Sequence, residues 1–120
     1  MATVFTTAGK NLTADIFDGT TATPANWYLA WGTGAGTAAV GDTTLFTEAA
    51  EARVAATEAQ PSANVNRFTG DITSASAQTI TNAGVLSASS SGTLIVKADF
   101  TGVVMAIGDK ISFTWDITWA

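Results

Sequence analysis

The clearest pattern in the chain is a strict alternation of apolar and polar residues near its C-terminal end. Within the segment Asp109–Ala120, every second residue from Ile111 to Trp119 is apolar, and the residues between them are polar. Because successive side chains of a β-strand point to opposite faces of its sheet, this pattern predicts a strand with one buried face. Gly92–Phe100 predicts a second such strand. The apolar positions are Ile111, Phe113, Trp115, Ile117 and Trp119 in the first segment, and Leu94, Val96, Ala98 and Phe100 in the second.

Weaker alternation upstream predicts further short strands, separated by turn-forming residues. Strands at this spacing, in a chain rich in threonine and without a long amphipathic helix, are typical of β-sandwiches. We therefore predict an all-β fold, an antiparallel β-sandwich of jelly-roll or Ig-like type with about seven to eight short strands. The additional strands cover residues 26–31, 52–60, 67–74 and 77–87, with Pro61, Gly70, Gly84 and the run 87–92 as turn or bulge positions.

Two stretches depart from this pattern. Thr43–Glu51 contains alanine and glutamate, which favour helix, so at most one short helix is predicted, near residues 43–50. Residues 1–25 are less periodic and form either a docking arm or the first strands of the domain, with short strands at Thr3–Thr7 and Leu12–Phe17. Residues 26–120 are predicted to form the β-sandwich domain.

Apolar residues near the two ends of the chain are the candidates for contact with another subunit or with a capsid. If residues 1–25 dock on a neighbouring subunit, the apolar residues of this segment would contact that subunit. The last tryptophan lies close to the C-terminal end. The large aliphatic residues are few for a chain of 120 residues, so association with partner subunits would supply additional apolar burial. The candidate contact residues are Val4, Phe5, Ile16, Phe17 and Trp119.

Composition and charge exclude several classes of function. The chain has neither cysteine nor histidine, which excludes thiolate metal sites, thiol nucleophiles and imidazole bases. Five basic residues are scattered singly in a chain of net charge −5, so no basic stripe for nucleic acid is present. No apolar run reaches the length of a membrane span, and no signal-peptide pattern opens the chain. We expect partners other than nucleic acid or membrane.

Motifs that resemble catalytic or binding sites have simpler explanations. The glycine-rich stretch Gly32–Ala39 lacks the helix and the βαβ unit of a dinucleotide site and is interpreted as a surface loop. The pairs Asp15/Asp18 and Glu48/Glu51 lie beside turn-forming residues and are interpreted as solvated or capping carboxylates. The four tryptophans are assigned mainly to the core, against the alternative of a platform for sugar rings. No enzyme, catalytic residue, metal site or cofactor is predicted.

The order and spacing of the segments resemble a group of small structural proteins of tailed bacteriophages. That group includes short stand-alone virion proteins and modules in fibre-like chains, and the resemblance covers roughly Asn26 to Trp119. It implies a β-sandwich component of the virion without a catalytic motif. The segments that carry the resemblance are NWYLAWGTG from Asn26, TTLFTE from Thr43, EARV from Glu51, RFTGDIT from Arg67, QTITNAGVL from Gln78, TLIVKADF from Thr93 and GDKISFT from Gly108.

Two functions follow from this resemblance. The preferred one is a capsid decoration (cement) protein, which binds the major capsid protein on the assembled head and stabilises the capsid surface. It is expected to be made in the host cytoplasm and to bind as a homo-oligomer, most simply a trimer. The alternative is a tail-fibre or head-fibre module that binds a host-surface glycan or receptor. The chain shows no fibre shaft, which favours decoration.

Overall fold

The computed structural model describes residues 1–119, which form eight β-strands and one α-helix. All strand pairs are antiparallel, so the predicted all-β fold is confirmed. The only helix among these residues is α1, near the N-terminus. The elements are β1 (Thr3–Phe5), α1 (Thr7–Phe17), β2 (Tyr28–Gly32), β3 (Val54–Ala55), β4 (Thr57–Ser62), β5 (Val65–Thr73), β6 (Gln78–Leu86), β7 (Leu94–Met105) and β8 (Lys110–Thr118).

The strands form two sheets that enclose one main core. The larger sheet has the order β1-β7-β6-β2-β3, and the smaller has the order β4-β5-β8. Alternate residues of both sheets point inward, as the period-two pattern requires. The core between the sheets contains the buried side chains of Leu29, Trp31, Phe68, Ile72, Ile80, Val85 and Ile117.

A bulge in β7 changes the face to which one predicted residue points. The sequence pattern placed Leu94 on the same face as Val96, but the pairing with β6 shifts by one residue between them. The inserted residue is Ile95, which lies in the main core together with Val96. Leu94 therefore points to the other face of the sheet, where it packs with Leu45.

That other face is covered by the long loop 33–53 between β2 and β3. The Asn82 side chain accepts a hydrogen bond from the Phe46 N–H and donates one to the Phe46 carbonyl, each at 3.0 Å. Lys97 is fully buried under the loop and binds the Asp42 carboxylate at 2.9 Å. The larger sheet is thus buried on both faces, although its outer cover is irregular backbone.

The helix prediction was wrong in position. Residues 43–50 form no helix, because this segment pairs its backbone with Asn82 and with residues 31–34 instead. Residues predicted as a strand, Leu12–Phe17, belong to helix α1. Thr6 caps that helix by accepting a hydrogen bond from the Gly9 N–H at 2.9 Å. The apolar residues Leu12 and Ile16 are four positions apart and share one helix face.

Gly9 lets helix α1 lie directly on strand β7, which gives a testable prediction. A Cβ atom at this position would lie 2.7 Å from the Cα and carbonyl oxygen of Ile95. We expect Gly9→Ala to lower the free energy of unfolding by about 1–3 kcal/mol through this overlap, despite the higher helix propensity of alanine. Gly41→Ala is the matched control because its Cβ would meet open space. Denaturant titration of both variants tests this, and equal stability would contradict the close packing.

Candidate functional site: an aromatic groove beside helix α1

Four of the five predicted contact residues surround one groove on the surface. Phe5 from β1, Ile16 and Phe17 from α1, and Trp119 after β8 line its two adjoining parts. Val4 does not belong to this set, because it is the register partner of Lys97 on the other face of the larger sheet. In the groove, called the aromatic groove below, residues from the two ends of the chain therefore meet.

Trp119 is held in place in the groove by Phe5 and by hydrogen bonds, but it remains accessible. The rings of Phe5 and Trp119 meet edge to face, with centroids 5.7 Å apart. The Trp119 indole N–H donates a hydrogen bond to the Asn66 side-chain oxygen at 2.6 Å, and its backbone N–H donates to the Asn64 carbonyl. Trp119 is still 43% exposed and Phe17 is 92% exposed. A fixed and exposed aromatic surface of this kind favours binding of a partner or ligand.

The two parts of the groove differ in depth and polarity. The outer part, of about 450 Å³, lies between helix α1 and Trp119 and is mostly apolar, with Lys10 and Asp18 at its rim. The inner part, of about 330 Å³, reaches toward the core. Aromatic faces beside a few polar groups form the usual composition of a small-ligand site. The inner part contains Trp27 and Phe68 together with the polar side chains of Glu58, Asn66 and Arg67.

Charged groups around the groove are fixed by hydrogen bonds. Arg67 binds Asp116 through two parallel contacts of 2.7 and 2.9 Å, which lower the pKa of the Asp116 carboxyl. Hydrogen bonds from Thr20 lower the pKa of Asp18. Both carboxyl groups therefore stay ionised at neutral pH. Asp18 lines the outer part of the groove, and Asp116 fixes the guanidinium of Arg67, which lines the inner part.

The other motifs noted in the sequence have structural roles. Glu48 binds Arg53 at 2.8 Å, and Glu51 accepts hydrogen bonds from the Trp31 indole and from Gln78. Glycines of the Gly32–Ala39 stretch make room for Phe46, whose ring or backbone lies within 3 Å of the Cβ position at Gly32, Gly34 and Gly36. No group of three or more acidic residues that would bind a metal ion is found within residues 1–119.

Two parts of this site were not predicted from the sequence. Trp27 and Phe68 were assigned to strands, and nothing in their spacing shows that they meet at one end of the core with ring centroids 6.0 Å apart. Helix α1 was missed, although Thr6 three residues before Gly9 and the spacing of Leu12 and Ile16 were available signals.

Comparison with known proteins gives one family. A model described as podophage GP4 fiber I protein gp80 matches residues 4–116, nearly the whole chain and including helix α1. No curated protein matches the chain. In the described part of the chain, no helix is long and apolar enough to cross a bilayer.

Proposed function

We propose, since this chain belongs to the family of the podophage GP4 fiber I protein gp80, that it works as a fibre module of a tailed-phage particle. The family match makes it a structural protein of the virion, as the sequence resemblance implied. The match over residues 4–116 is the observation that carries the proposal, because it names a fibre protein and covers both sheets and helix α1.

The fibre function replaces capsid decoration as the preferred reading. The lack of a shaft in this sequence does not count against a fibre, because the shaft and the module can belong to different chains. The family description supports a fibre, and no finding specifically supports binding to the major capsid protein as a cement. The place of the protein on the particle therefore becomes the first question for experiment.

Copy number in purified virions tests this placement. A fibre component is present in far fewer copies than the major capsid protein, whereas a decoration protein scales with the capsid lattice. We expect a faint band in a stained gel of whole particles, and labelling by specific antibodies at discrete appendages under the electron microscope. A band that scales with the capsid protein, with label over the whole head, would contradict the fibre proposal.

For the ligand of the fibre module we propose a host-surface glycan bound in the aromatic groove. Sugar rings carry apolar C–H faces that pack on aromatic side chains and hydroxyl groups that need polar partners. The groove offers both, with Trp119 and Phe17 exposed beside Asn66, Lys10 and Asp18. Because Trp119 is fixed by Asn66 before any ligand arrives, little ordering entropy opposes binding.

Replacing the exposed indole gives the corresponding prediction. We expect Trp119→Ala to weaken glycan binding by about tenfold or more, as loss of a central aromatic contact does in other interfaces. Ile107→Ala is the matched control, because Ile107 is 76% exposed but lies in the turn before β8, at the opposite end of that strand. A glycan array identifies the ligand, and titration compares the variants. Equal affinities of the two variants would exclude the groove as the binding site.

A further inference from the structure

The inner part of the aromatic groove combines an apolar wall with polar side chains. Glu58 and Asn66 line the same space as the apolar residues. A chemical group that fills this space must therefore be apolar on one side and able to form hydrogen bonds on another. The apolar lining comes from both sheets and from the segment before β2, namely Trp27, Phe68, Ile95 and Ile117.

The register of β4 and β5 places Glu58 and Asn66 on the same face of the smaller sheet. Glu58 is the register partner of Phe68, and residues directly opposite each other in an antiparallel pair point to the same face. Asn66 comes two residues before Phe68 in β5, so it also shares this face. Phe68 is buried, which identifies the face as the one turned toward the core. Both polar side chains therefore start beside the Phe68 ring.

The hydrogen bond between Trp119 and Asn66 determines how the Asn66 amide is oriented. An indole N–H can only donate, so the side-chain oxygen of Asn66 must face it, at 2.6 Å. The amide NH₂ group of Asn66 then points away from the indole, and it has no acceptor among residues 1–119. The Glu58 carboxylate has no donor among these residues either, and Glu58 is exposed. The inner part thus offers one hydrogen-bond donor and one acceptor to a ligand.

A donor and an acceptor on opposite sides of one space complement a secondary amide. In a trans amide the C=O and N–H bonds point in opposite directions. The carbonyl can accept a hydrogen bond from the Asn66 NH₂ group while the N–H donates one to the Glu58 carboxylate. Glu58 and Asn66 are diagonal neighbours across the two strands, and such residues lie about 7–8 Å apart, which leaves room for one small planar group between their side chains.

We propose that the glycan bound in the aromatic groove contains a 2-acetamido sugar, and that the inner part of the groove binds the acetamido group. This inference rests on the proposed function, because it names the class of glycan for the same site. The acetamido group is a secondary amide, and its methyl group fits the apolar wall formed by Trp27 and Phe68. The sugar ring then packs on the exposed indole of Trp119.

A plain hexose fits this site less well. A hydroxyl group at the same carbon brings no methyl group to the apolar wall, and it replaces a two-sided amide with a single oxygen. Sites whose polar groups are arranged for one hydrogen-bonding pattern discriminate strongly against analogues that lack it, because those groups are left unpaired. We therefore expect the preference for the acetamido sugar to be at least about tenfold in affinity.

A glycan array with matched pairs tests the inference on the native chain. Each pair differs only in a 2-acetamido group against a 2-hydroxyl group, as chito- and cello-oligosaccharides of equal length do, and the array also carries fragments of bacterial surface polysaccharides. We expect every bound glycan to contain an acetamido sugar. Equal binding of acetamido and hydroxyl members would overturn this inference and leave glycan binding intact. Binding to no glycan would overturn the proposed function, and this inference with it.

Asn66→Asp locates the preference in the groove. It keeps the oxygen that accepts the Trp119 indole N–H but replaces the NH₂ donor with an acceptor. We expect the affinity ratio between acetamido and hydroxyl members to fall at least about fivefold. Both members are uncharged, so the added negative charge alone does not change the ratio. Asn11→Asp makes the same substitution at an exposed position of helix α1 outside the groove lining, and it should keep the native ratio.

Glu58→Ala provides a second, independent variant. It removes the acceptor for the amide N–H at an exposed position of the edge strand β4, and we expect it to lower the same ratio. Circular dichroism checks the fold of each variant. If Asn66→Asp and Glu58→Ala both retain the native ratio, the inner part of the groove is excluded as the acetamido subsite.

Discussion

Replacing Trp31 by alanine is expected to lower the free energy of unfolding by about 3–5 kcal/mol. Trp31 is 1% exposed, the largest of the fully buried side chains, and its ring packs edge to face on Phe113 across the core. Its indole N–H donates to Glu51 at 2.9 Å, and Glu51 in turn accepts hydrogen bonds from Ala75 and Gln78. The substitution therefore leaves a cavity between the sheets and removes one partner from a carboxylate network.

Two further variants separate these contributions. Trp31→Phe keeps an aromatic ring but removes the N–H donor, so it should lower the free energy of unfolding by less than the alanine variant does. Trp119→Ala removes the same side chain from a position that is 43% exposed and should cost clearly less. Denaturant titrations measure the free energy of unfolding of all three variants. Similar losses for Trp31→Ala and Trp119→Ala would show that Trp31 is not the centre of the core.

The strands were the part of the fold that sequence reasoning recovered best. Segment β8 alternates apolar and polar residues because one of its faces lies toward the core, and this constraint acts residue by residue along the chain. Segment β7 was also predicted as a strand, although its first five residues are buried on both faces. Even there, the position of Leu94 was wrong. A bulge depends on how β7 pairs with β6, and that pairing is not visible in the residues of β7 alone.

Helix α1 and loop 33–53 were harder to predict because tertiary contacts determine them. Threonine, asparagine and glycine give α1 low helix propensity, but Thr6 caps it and Gly9 allows it to pack on β7. Residues 43–50 have higher propensity, but the buried Asn82 binds the backbone of Phe46 in an extended arrangement. In both segments, contacts distant in sequence outweigh local preference.

For the candidate site too, several residues could be predicted from the sequence, but the way they come together could not. Apolar residues near the chain ends were predicted from the sequence as possible contacts, which stays a prediction, and four of them, Phe5, Ile16, Phe17 and Trp119, line one groove. That they meet at all depends on β1 and the end of β8 lying at neighbouring sheet edges, which no pattern in either segment shows. Val4 differs from Phe5 because adjacent residues of a strand point to opposite faces.

Lys97 is the residue whose environment the sequence indicated least. Its place in an alternating segment suggested an exposed position, yet its side chain is only 1% exposed. Its ammonium group binds Asp42 at 2.9 Å and the Thr44 carbonyl at 2.8 Å, and lies 3.2 Å from the centroid of the Phe46 ring. Every one of these partners comes from loop 33–53, so the charge links the loop to the sheet.

Removal of the negative charge of Asp42, the partner of Lys97, is therefore expected to destabilise the fold strongly. We expect Asp42→Asn, which keeps the shape of the side chain, to lower the free energy of unfolding by about 3 kcal/mol, because the Lys97 charge then stays buried without a counterion. This is the lower end of the range for buried pairs, since Asp42 is 24% exposed. Asp15→Asn, an identical change at an exposed site on helix α1, should alter stability by no more than about 0.5 kcal/mol.

The pH dependence of this difference identifies its cause. The Ala39 N–H and then the Lys97 ammonium lower the pKa of Asp42, so the ionised carboxyl stabilises the folded state above its unfolded pKa. That stabilisation is lost as the pH falls through the lower folded-state pKa, where the native side chain also becomes neutral. Chemical denaturation should therefore show the Asp42→Asn penalty in full at pH 7 and a smaller penalty below about pH 4. A penalty independent of pH would mean that shape and hydrogen bonding, rather than the charge pair, hold the loop on the sheet.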